Sequence, residues 1–555
     1  MSVARTWSVA LVGLDATLVE VEADVSQQTP EFRIIGLADR ALAEAVQRVH
    51  NACANSGLTL PRRRLTVNLS PASLPKHGSG FDVAVAIAAL AGQYALDRGS
   101  LTDTVHLGEL GLDGRLRPVA GVLPAALAAV RAGRRRLVVP HANVAEARLV
   151  PGIDVVGAVS LAEVARLHGA DVPVPEHEPV AHSVVPEDTG PVPELADVVG
   201  QRDAVAALIV VAAGGHHLLM SGPPGAGKTM LAHRLPGILP ELDDRAALAV
   251  AAVRSVSGAP VTSLSRIPPI EAPHHSASMV ALVGGGSRVL RPGAVARASE
   301  GVLFLDEAGE FPASVLDALR QPLERGWIDI HRAGISARFP ARFQLVLATN
   351  PCPCGNYGVR GASCDCPPMA IRRYIGRLSG PLRDRVDIEL QLRRVSRARG
   401  HDPGDRVSSS DARAQVVAAR RRAQTRLRGT PWRRNAEVSG AWLREGPFAP
   451  PPEVRRPLDA ALERGQLTLR GYDRVLRVRK TELSRMQPCR CLKDHGQLTC
   501  ARSPRTTARI CRHGSSRTCA SEPRACRREL CPRSGGRSRP RVARRSTMRF
   551  RWPRC

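Results

Sequence analysis

Aromatic residues make up only 3% of the 555-residue chain, so aliphatic side chains must fill its cores. No apolar run approaches the roughly 18 residues that a membrane-spanning helix needs, and no span is expected. The N-terminus has an early Arg5 but no apolar stretch ending at a small-residue cleavage site. That pattern argues against a signal peptide and points to the cytoplasm. Cysteine is nearly missing from the first 480 residues, where four of five lie between 352 and 366 and Cys53 stands alone. No secreted disulfide framework has that spacing. The remaining composition, 43% hydrophobic and 23% charged, is that of a soluble globular protein, at a length that predicts roughly two to four domains.

Acidic residues are outnumbered, 51 against 79 Lys and Arg, and the formal charge is +28. Residues 480–555 carry 21 Lys and Arg against 4 Asp and Glu, so +17 belongs to them and +11 to the rest. The same segment holds the other eight cysteines, from Cys489 to Cys555. Apolar periodicity fades after Val478, so the last helix is expected to stop near Arg479. No pattern beyond it could bury a core. A basic nucleic-acid tail, a disordered tail and a slip of reading frame all fit this composition. The abruptness of the change favours the frame slip.

Residues 9–12, 65–69 and 137–140 read as strands, and 39–54 and 81–91 as helices by their 3.6-residue apolar period. Residues 1–170 therefore read as an α/β domain. Pro173, Pro175, Pro186, Pro191 and Pro193 mark 171–194 as an extended linker. A second α/β domain is expected over 195–390 and a basic helical region over 391–478. That region has an Arg-rich helix at 412–427 and one or two helices within 458–479, with Pro457 at a first helical position. An irregular basic tail fills 479–555.

Gly222-Pro223-Pro224-Gly225-Ala226-Gly227-Lys228-Thr229 fits G-x-x-x-x-G-K-[ST], the phosphate-cradling loop of nucleotide triphosphatases. Residues 217–221 end a buried strand before it, and 230–235 can start a helix after it. The glycines let backbone N–H groups turn toward phosphate oxygens, and the helix N-terminus adds a favourable dipole. Lys228 is expected to reach the β/γ-phosphates of ATP, and Thr229 to hold Mg²⁺.

Val302-Leu303-Phe304-Leu305-Asp306-Glu307 reads as a buried parallel strand with two carboxylates at its C-terminal end, where open α/β sheets bind ligands. Asp306 is expected in the Mg²⁺ shell, and Glu307 as the group that orients and deprotonates water. A second apolar run ends at Asn350, placed to bond the γ-phosphate or the lytic water, or else to cap a turn.

Together these segments resemble an AAA+ ATPase of the magnesium-chelatase-like group. Asp197-Val198-Val199-Gly200-Gln201 resembles the segment that packs near adenine, and Asn350 matches the sensor-1 position. Leu382-Arg383-Asp384-Arg385-Val386-Asp387 resembles the arginine-finger segment, with Arg385 as the match. An ion pair of Arg385 with Asp384 or Asp387 is the plainer alternative. Arg470 resembles the sensor-2 arginine of a helical lid, with Arg474 and Arg477 close by. A finger serves a neighbour's site, so the resemblance implies a ring, usually a hexamer.

Ala272-Pro273-His274-His275-Ser276-Ala277-Ser278, Gly284-Gly285-Gly286 and Asn350-Pro351-Cys352-Pro353-Cys354-Gly355 narrow the resemblance to the ComM/YifB family, over about residues 1–478. It implies a homo-oligomeric ATPase that acts on DNA, by branch migration of recombination intermediates. Residues 1–170 resemble that family's Lon-protease-like domain, through 106–114 and Arg117-Pro118-Val119. Gly80 stands where a nucleophile belongs, Ser79 is one place early, and no Lys occurs between Gly121 and Ala132. The implied domain is protease-dead, a scaffold that binds DNA or steadies the ring. A magnesium-chelatase motor subunit, driving Mg²⁺ into a porphyrin, is the alternative. The intact phosphate loop and carboxylate pair argue against a non-enzymatic scaffold.

Cys352, Cys354, Cys364 and Cys366 form C-x-C-x₉-C-x-C. Four thiolates could hold a structural Zn²⁺; four reduced thiols in a Pro/Gly loop is the plainer reading. His274 and His275 read as a polar loop near a ring pore, with DNA contact as the sharper alternative. The arginine runs 62–64, 134–136 and 420–422 are candidate phosphate contacts or solvated faces.

Overall fold

Leu65, Val67 and Leu69 are buried while their neighbours are half-exposed, the period-two pattern of a strand with one face in a core. The computed structural model describes residues 3–36, 40–182, 190, 192–286, 290–332, 335–359, 361–395, 406–485, 491–494 and 497–500. Seven strands form the first sheet, in the order Glu31–Ile35, Arg64–Ser70, Asp15–Ser26, Ala4–Val12, Thr104–His106, Arg136–Pro140 and Asp154–Ala158. Ala4–Val12 and Asp15–Ser26 make an antiparallel hairpin, from Ala4 opposite Ala23 to Val12 opposite Asp15. The last three strands run parallel to Ala4–Val12. Helix Asp82–Leu90 is apolar after its first residue and buried throughout, as a helix without a polar face must be.

A polar chain crosses this core. Thr6 Oγ1 lies 2.9 Å from His106 Nδ1, His106 Nε2 2.8 Å from His168 Nε2, and His168 Nδ1 2.9 Å from Ser100 Oγ. Burial holds both imidazoles below their usual range, reinforced by His168 at His106 and by Arg136 at His168, which titrates at about 4.

The second sheet is wholly parallel, ordered Ile270–Glu271, Val302–Leu305, Gln344–Thr349, Leu218–Ser221 and Ile388–Gln391. Its three central strands are buried nearly end to end, which explains their uninterrupted apolar runs. Helices Arg202–Gly214, Lys228–Ile238, Ser409–Arg426 and Leu469–Arg485 pack one face. An antiparallel hairpin, Trp327–Arg332 with Ile335–Pro340, meets the first sheet: Ile328, Ile330, Ala337 and Phe339 pack with Val253, Val256, Val12 and Leu14. The junction is extended by Val122, Ala125 and Ala126 against Ala251 and Ala252, and by Glu146, which accepts from Leu123 N at 2.9 Å and from Ser255 Oγ.

Three features differ from the sequence expectation. The last helix runs Leu469–Arg485, past Arg479. Thr481 and Ser484 are buried, which breaks the apolar period, yet both are satisfied. Thr481 Oγ1 meets His216 Nε2 at 2.8 Å and accepts from Asn435 at 2.9 Å, and Ser484 Oγ donates to Lys480 O at 2.7 Å and accepts from Arg426 at 3.1 Å. Pro457 lies inside helix Pro452–Glu463, and Pro452 takes the first turn. Beyond that, Cys491–Asp494 and Gln497–Cys500 pair as an antiparallel hairpin within the expected irregular tail; residues 486–490, 495–496 and 501–555 of that tail lie outside the described residues. Residues 171–182 of the expected linker carry no regular structure. Among the described residues, no helix is long and apolar enough to cross a membrane.

The histidine pair generates a pH dependence. Unfolded imidazoles titrate near 6.5, and these titrate lower, so between the two values the unfolded chain binds more protons and acid favours it. Stability is full above about 6.5 and declines toward pH 4, by roughly 3 kcal/mol for His168. Thermal melts of wild type and His168→Asn across this range provide the check. The variant should lose part of the acid slope, and identical slopes would count against the assignment.

Candidate functional site

Strand Leu218–Ser221 leads into a loop anchored where Gly222 N donates to Thr349 O at 3.2 Å. The loop turns through Gly225 (φ 74°) and Gly227 (φ 82°), values that glycine adopts without a steric penalty, into helix Lys228–Ile238. The first-turn amides of a helix, which lack intrahelical acceptors, and its dipole favour an anion there. Lys228 is only 9% exposed. Its Nζ donates to Gly222 O at 2.8 Å, Pro223 O at 3.1 Å and Asn350 Oδ1 at 3.0 Å. Burial draws the ammonium's pKa down, against the charges of Asp306 and Glu307.

Asp306 follows the buried strand Val302–Leu305, and its Oδ2 accepts from Thr229 Oγ1 at 2.5 Å. The hydroxyl and carboxylate suited to Mg²⁺ are thus in contact. Its Oδ1 accepts from Glu307 N at 2.9 Å. Glu307 has φ 50°, a left-handed conformation that costs a non-glycine residue about 1–3 kcal/mol. Its carboxylate lies 3.1 Å from His275 Nδ1, and the His275 ring is 4.0 Å from that of His274. Sequence reasoning missed this contact. The only available signal was that the histidines follow strand Ile270–Glu271, which neighbours Val302–Leu305.

A cavity of about 210 Å³ opens nearby, lined by Val198, Val199, Gln201, Ile209, Gln415 and Arg485. Gln201 ties it to the loop, donating to Ala226 O at 3.2 Å and Arg393 O at 2.9 Å. Aliphatic walls with a few polar groups suit a flat base.

Arg385 and Arg470 lie elsewhere. Asp387 N donates to His217 O at 3.1 Å, just before strand Leu218–Ser221. Arg385 therefore sits at the N-terminal edge of a parallel sheet whose C-terminal edge carries the loop. One strand length, about 13 Å for four residues, separates the two edges. Both arginines line an open cavity of about 330 Å³ with Asp384, Asp473, Arg474 and Arg477. Arg385 pairs with Glu324 rather than with Asp384 or Asp387, and Arg470 stands 3.8 Å from Asp384. Arg474 is buried and donates to Arg383 O at 3.2 Å and Val386 O at 2.9 Å, whereas the Arg470 side chain is 72% exposed.

The sulfurs of Cys352, Cys354, Cys364 and Cys366 all lie within 4.8 Å of one another. Cys352 is 3.3 Å from Cys354 and 3.7 Å from Cys364, and Cys354 is 3.6 Å from Cys364. Thiolates about 2.3 Å from a tetrahedral ion stand about 3.8 Å apart, so the set fits one metal ion.

Residues 194–399 match the family described as Magnesium chelatase, subunit ChlI; 21–143 match Subunit ChlI of Mg-chelatase; 406–482 match Magnesium chelatase, subunit ChlI C-terminal. The competence protein ComM of Haemophilus influenzae is 40% identical over 493 residues, covering 87% of this chain and 93% of that protein. The uncharacterized protein YifB of Escherichia coli is 37% identical over 499 residues, covering 87% and 93%. The chain belongs to the ComM/YifB family. An uncharacterized protein of Mycobacterium tuberculosis is 49% identical over 483 residues, covering 86% and 94%. The magnesium-chelatase-like core of the ComM/YifB family supports an AAA+ ATPase that uses ATP and Mg²⁺.

In this ComM/YifB chain Ser79 Oγ donates to Glu109, while Lys76 Nζ donates to Gly36 O at 2.8 Å and to Pro71 O. A hydroxyl held by a carboxylate and an amine held by carbonyls do not form a Ser–Lys catalytic pair. The arginine runs divide between structural contacts and exposed side chains. Arg420 donates to Ala212 O at 2.7 Å and Arg422 to Ser484 O at 2.6 Å. Arg134 lies 4.0 Å over the Trp7 ring, and Arg136 pairs with Asp154 at 3.1 Å. Arg62, Arg63, Arg135 and Arg421 remain exposed.

Lys228→Ala should lower ATP turnover by at least about 10²-fold, the scale for losing one preorganised charge donor. Phosphate release from purified protein measures it, and retained hydrolysis would contradict the assignment. Thr229→Ala should raise the Mg²⁺ concentration needed for half-maximal turnover.

Proposed function

We propose that the chain is one subunit of a cytoplasmic, ATP-driven ring, a hexamer, that moves DNA and drives branch migration of recombination intermediates. The observation that carries this reading is the split of the site residues between two edges of one sheet. Lys228, Thr229, Asp306 and Asn350 gather at one edge, and Arg385 and Arg470 at the other. A neighbour in a ring would present its arginine edge to this subunit's loop, completing the site in trans.

Within that site Thr229 and Asp306 would hold Mg²⁺, which would supply charge neutralisation at the phosphates. Lys228 turns from its carbonyl partners to the β/γ-phosphates, and Asn350 moves with it to the γ-phosphate. Glu307 leaves His275 and takes a proton from the attacking water. The partner's arginines stabilise the charge that develops on the transferred phosphoryl group. Residues 1–170 act as a protease-dead, Lon-like scaffold, 195–390 as the AAA+ core, and the helices after 391 as the lid. The four-cysteine loop takes a structural Zn²⁺. DNA is favoured over a porphyrin because the likeness to a competence protein covers 87% of this chain at 40% identity, whereas that to a magnesium-chelatase subunit of Mesostigma viride covers 24% at 27%.

Mixing two inactive proteins tests the ring. Lys228→Ala keeps its arginines and Arg385→Ala keeps its loop, so mixed rings should recover ATP turnover that neither shows alone. No recovery in co-assembled protein would defeat the trans site. Glu307→Gln should retain ATP uncleaved, seen as nucleotide that co-purifies. Branched DNA should stimulate the wild type several-fold, and stimulation by chelatase partners alone would favour the porphyrin reading.

A further inference from the structure

The four-cysteine loop touches the phosphate loop at two places. Cys352 follows Asn350 by two residues, and the Asn350 side chain accepts from Lys228 Nζ at 3.0 Å. The Cys352 sulfur is buried and accepts from Tyr357 N at 3.3 Å. Gly355, at φ 79°, lies against the Pro224 ring, where an added methyl would stand 2.4 Å from Pro224 Cδ. The same short stretch therefore carries the amide that meets Lys228 and abuts the prolyl shoulder of the cradle.

Between strand Gln344–Thr349 and helix Pro368–Gly376 the described residues have no helix or strand. A connection of that length without regular structure needs another source of order. Four convergent sulfurs supply it if a metal joins them, and an all-thiolate set selects Zn²⁺ over Mg²⁺ or Ca²⁺.

We propose that this centre binds Zn²⁺ as a clamp on the nucleotide site, holding Asn350 and Pro224 where Lys228 and the phosphates need them. The inference rests on the nucleotide reading above and deepens it, by making ATP binding and turnover depend on a metal that never touches the phosphates. Cysteines 352, 354, 364 and 366 are metal ligands in this scheme, and Gly355 is a positioning residue.

The test uses full-length wild-type protein. Elemental analysis should find one zinc per chain. A mercurial with a chelator should release it, and added Zn²⁺, but not Mg²⁺, should restore it. Release should weaken trinitrophenyl-ATP binding by about tenfold and slow turnover by about 10²-fold, the scale for a displacement of about 1 Å in a reacting site. Gly355→Ala should keep its zinc yet bind the nucleotide analogue more weakly. Cys354→Ser with Cys364→Ser should lack zinc; because that variant could misfold, reversible removal from wild type is the deciding arm. Absence of zinc, or zinc whose removal leaves nucleotide affinity unchanged, would overturn the clamp. If binding of the analogue follows zinc but no form cleaves ATP, the clamp stands and the motor reading fails.

Discussion

Lys228 is a buried ammonium held by two backbone carbonyls and one side-chain amide, and the nucleotide site depends on that arrangement. A charge so far from water needs partners. The ones it has are neutral oxygens, which hold an ammonium less strongly than an anionic oxygen would. The strand order makes this arrangement possible. Gln344–Thr349 lies between the loop strand and the carboxylate strand, so Asn350 emerges beside Lys228 and Asp306 beside Thr229 without long side-chain reaches. The Gly222–Thr349 hydrogen bond fixes the register of loop against amide.

The sheet also acts as a spacer. Its strands are short and parallel, so Lys228, Thr229, Asp306 and Asn350 gather at one end while Arg385 and Arg470 lie at the other. Arg474 and Arg477 have backbone carbonyls for partners and serve the packing of the last helix. Arg470, one turn earlier, stays largely in solvent. Three arginines with similar spacing thus divide between structure and surface, a division that only the packed helix defines.

Much of the site was legible because each element needed only local chemistry: glycines for the turn, aliphatic runs for buried strands, acids at a strand end. The helix 82–90 and the strands 64–70, 218–221 and 302–305 follow from that same period and burial logic. Contacts between distant segments were not legible. His275 against Glu307 joins residues that no local pattern relates, and so does Gly355 on Pro224. The end of the last helix was obscured because Thr481 and Ser484 are buried polar residues with partners over 40 positions away, which a count of apolar residues reads as surface. The charge of the 420–422 run suggested a phosphate path, but Arg420 and Arg422 are bound to backbone carbonyls of neighbouring helices.

The hairpin Trp327–Pro340 has a mechanical meaning. Its inner face is packed with Val12 and Leu14 of the N-terminal hairpin, and its second strand runs within a few residues into Gln344–Thr349. Close-packed interiors pass strain on rather than absorb it. A displacement of the N-terminal sheet would therefore be passed through this hairpin to the strand that ends just before Asn350.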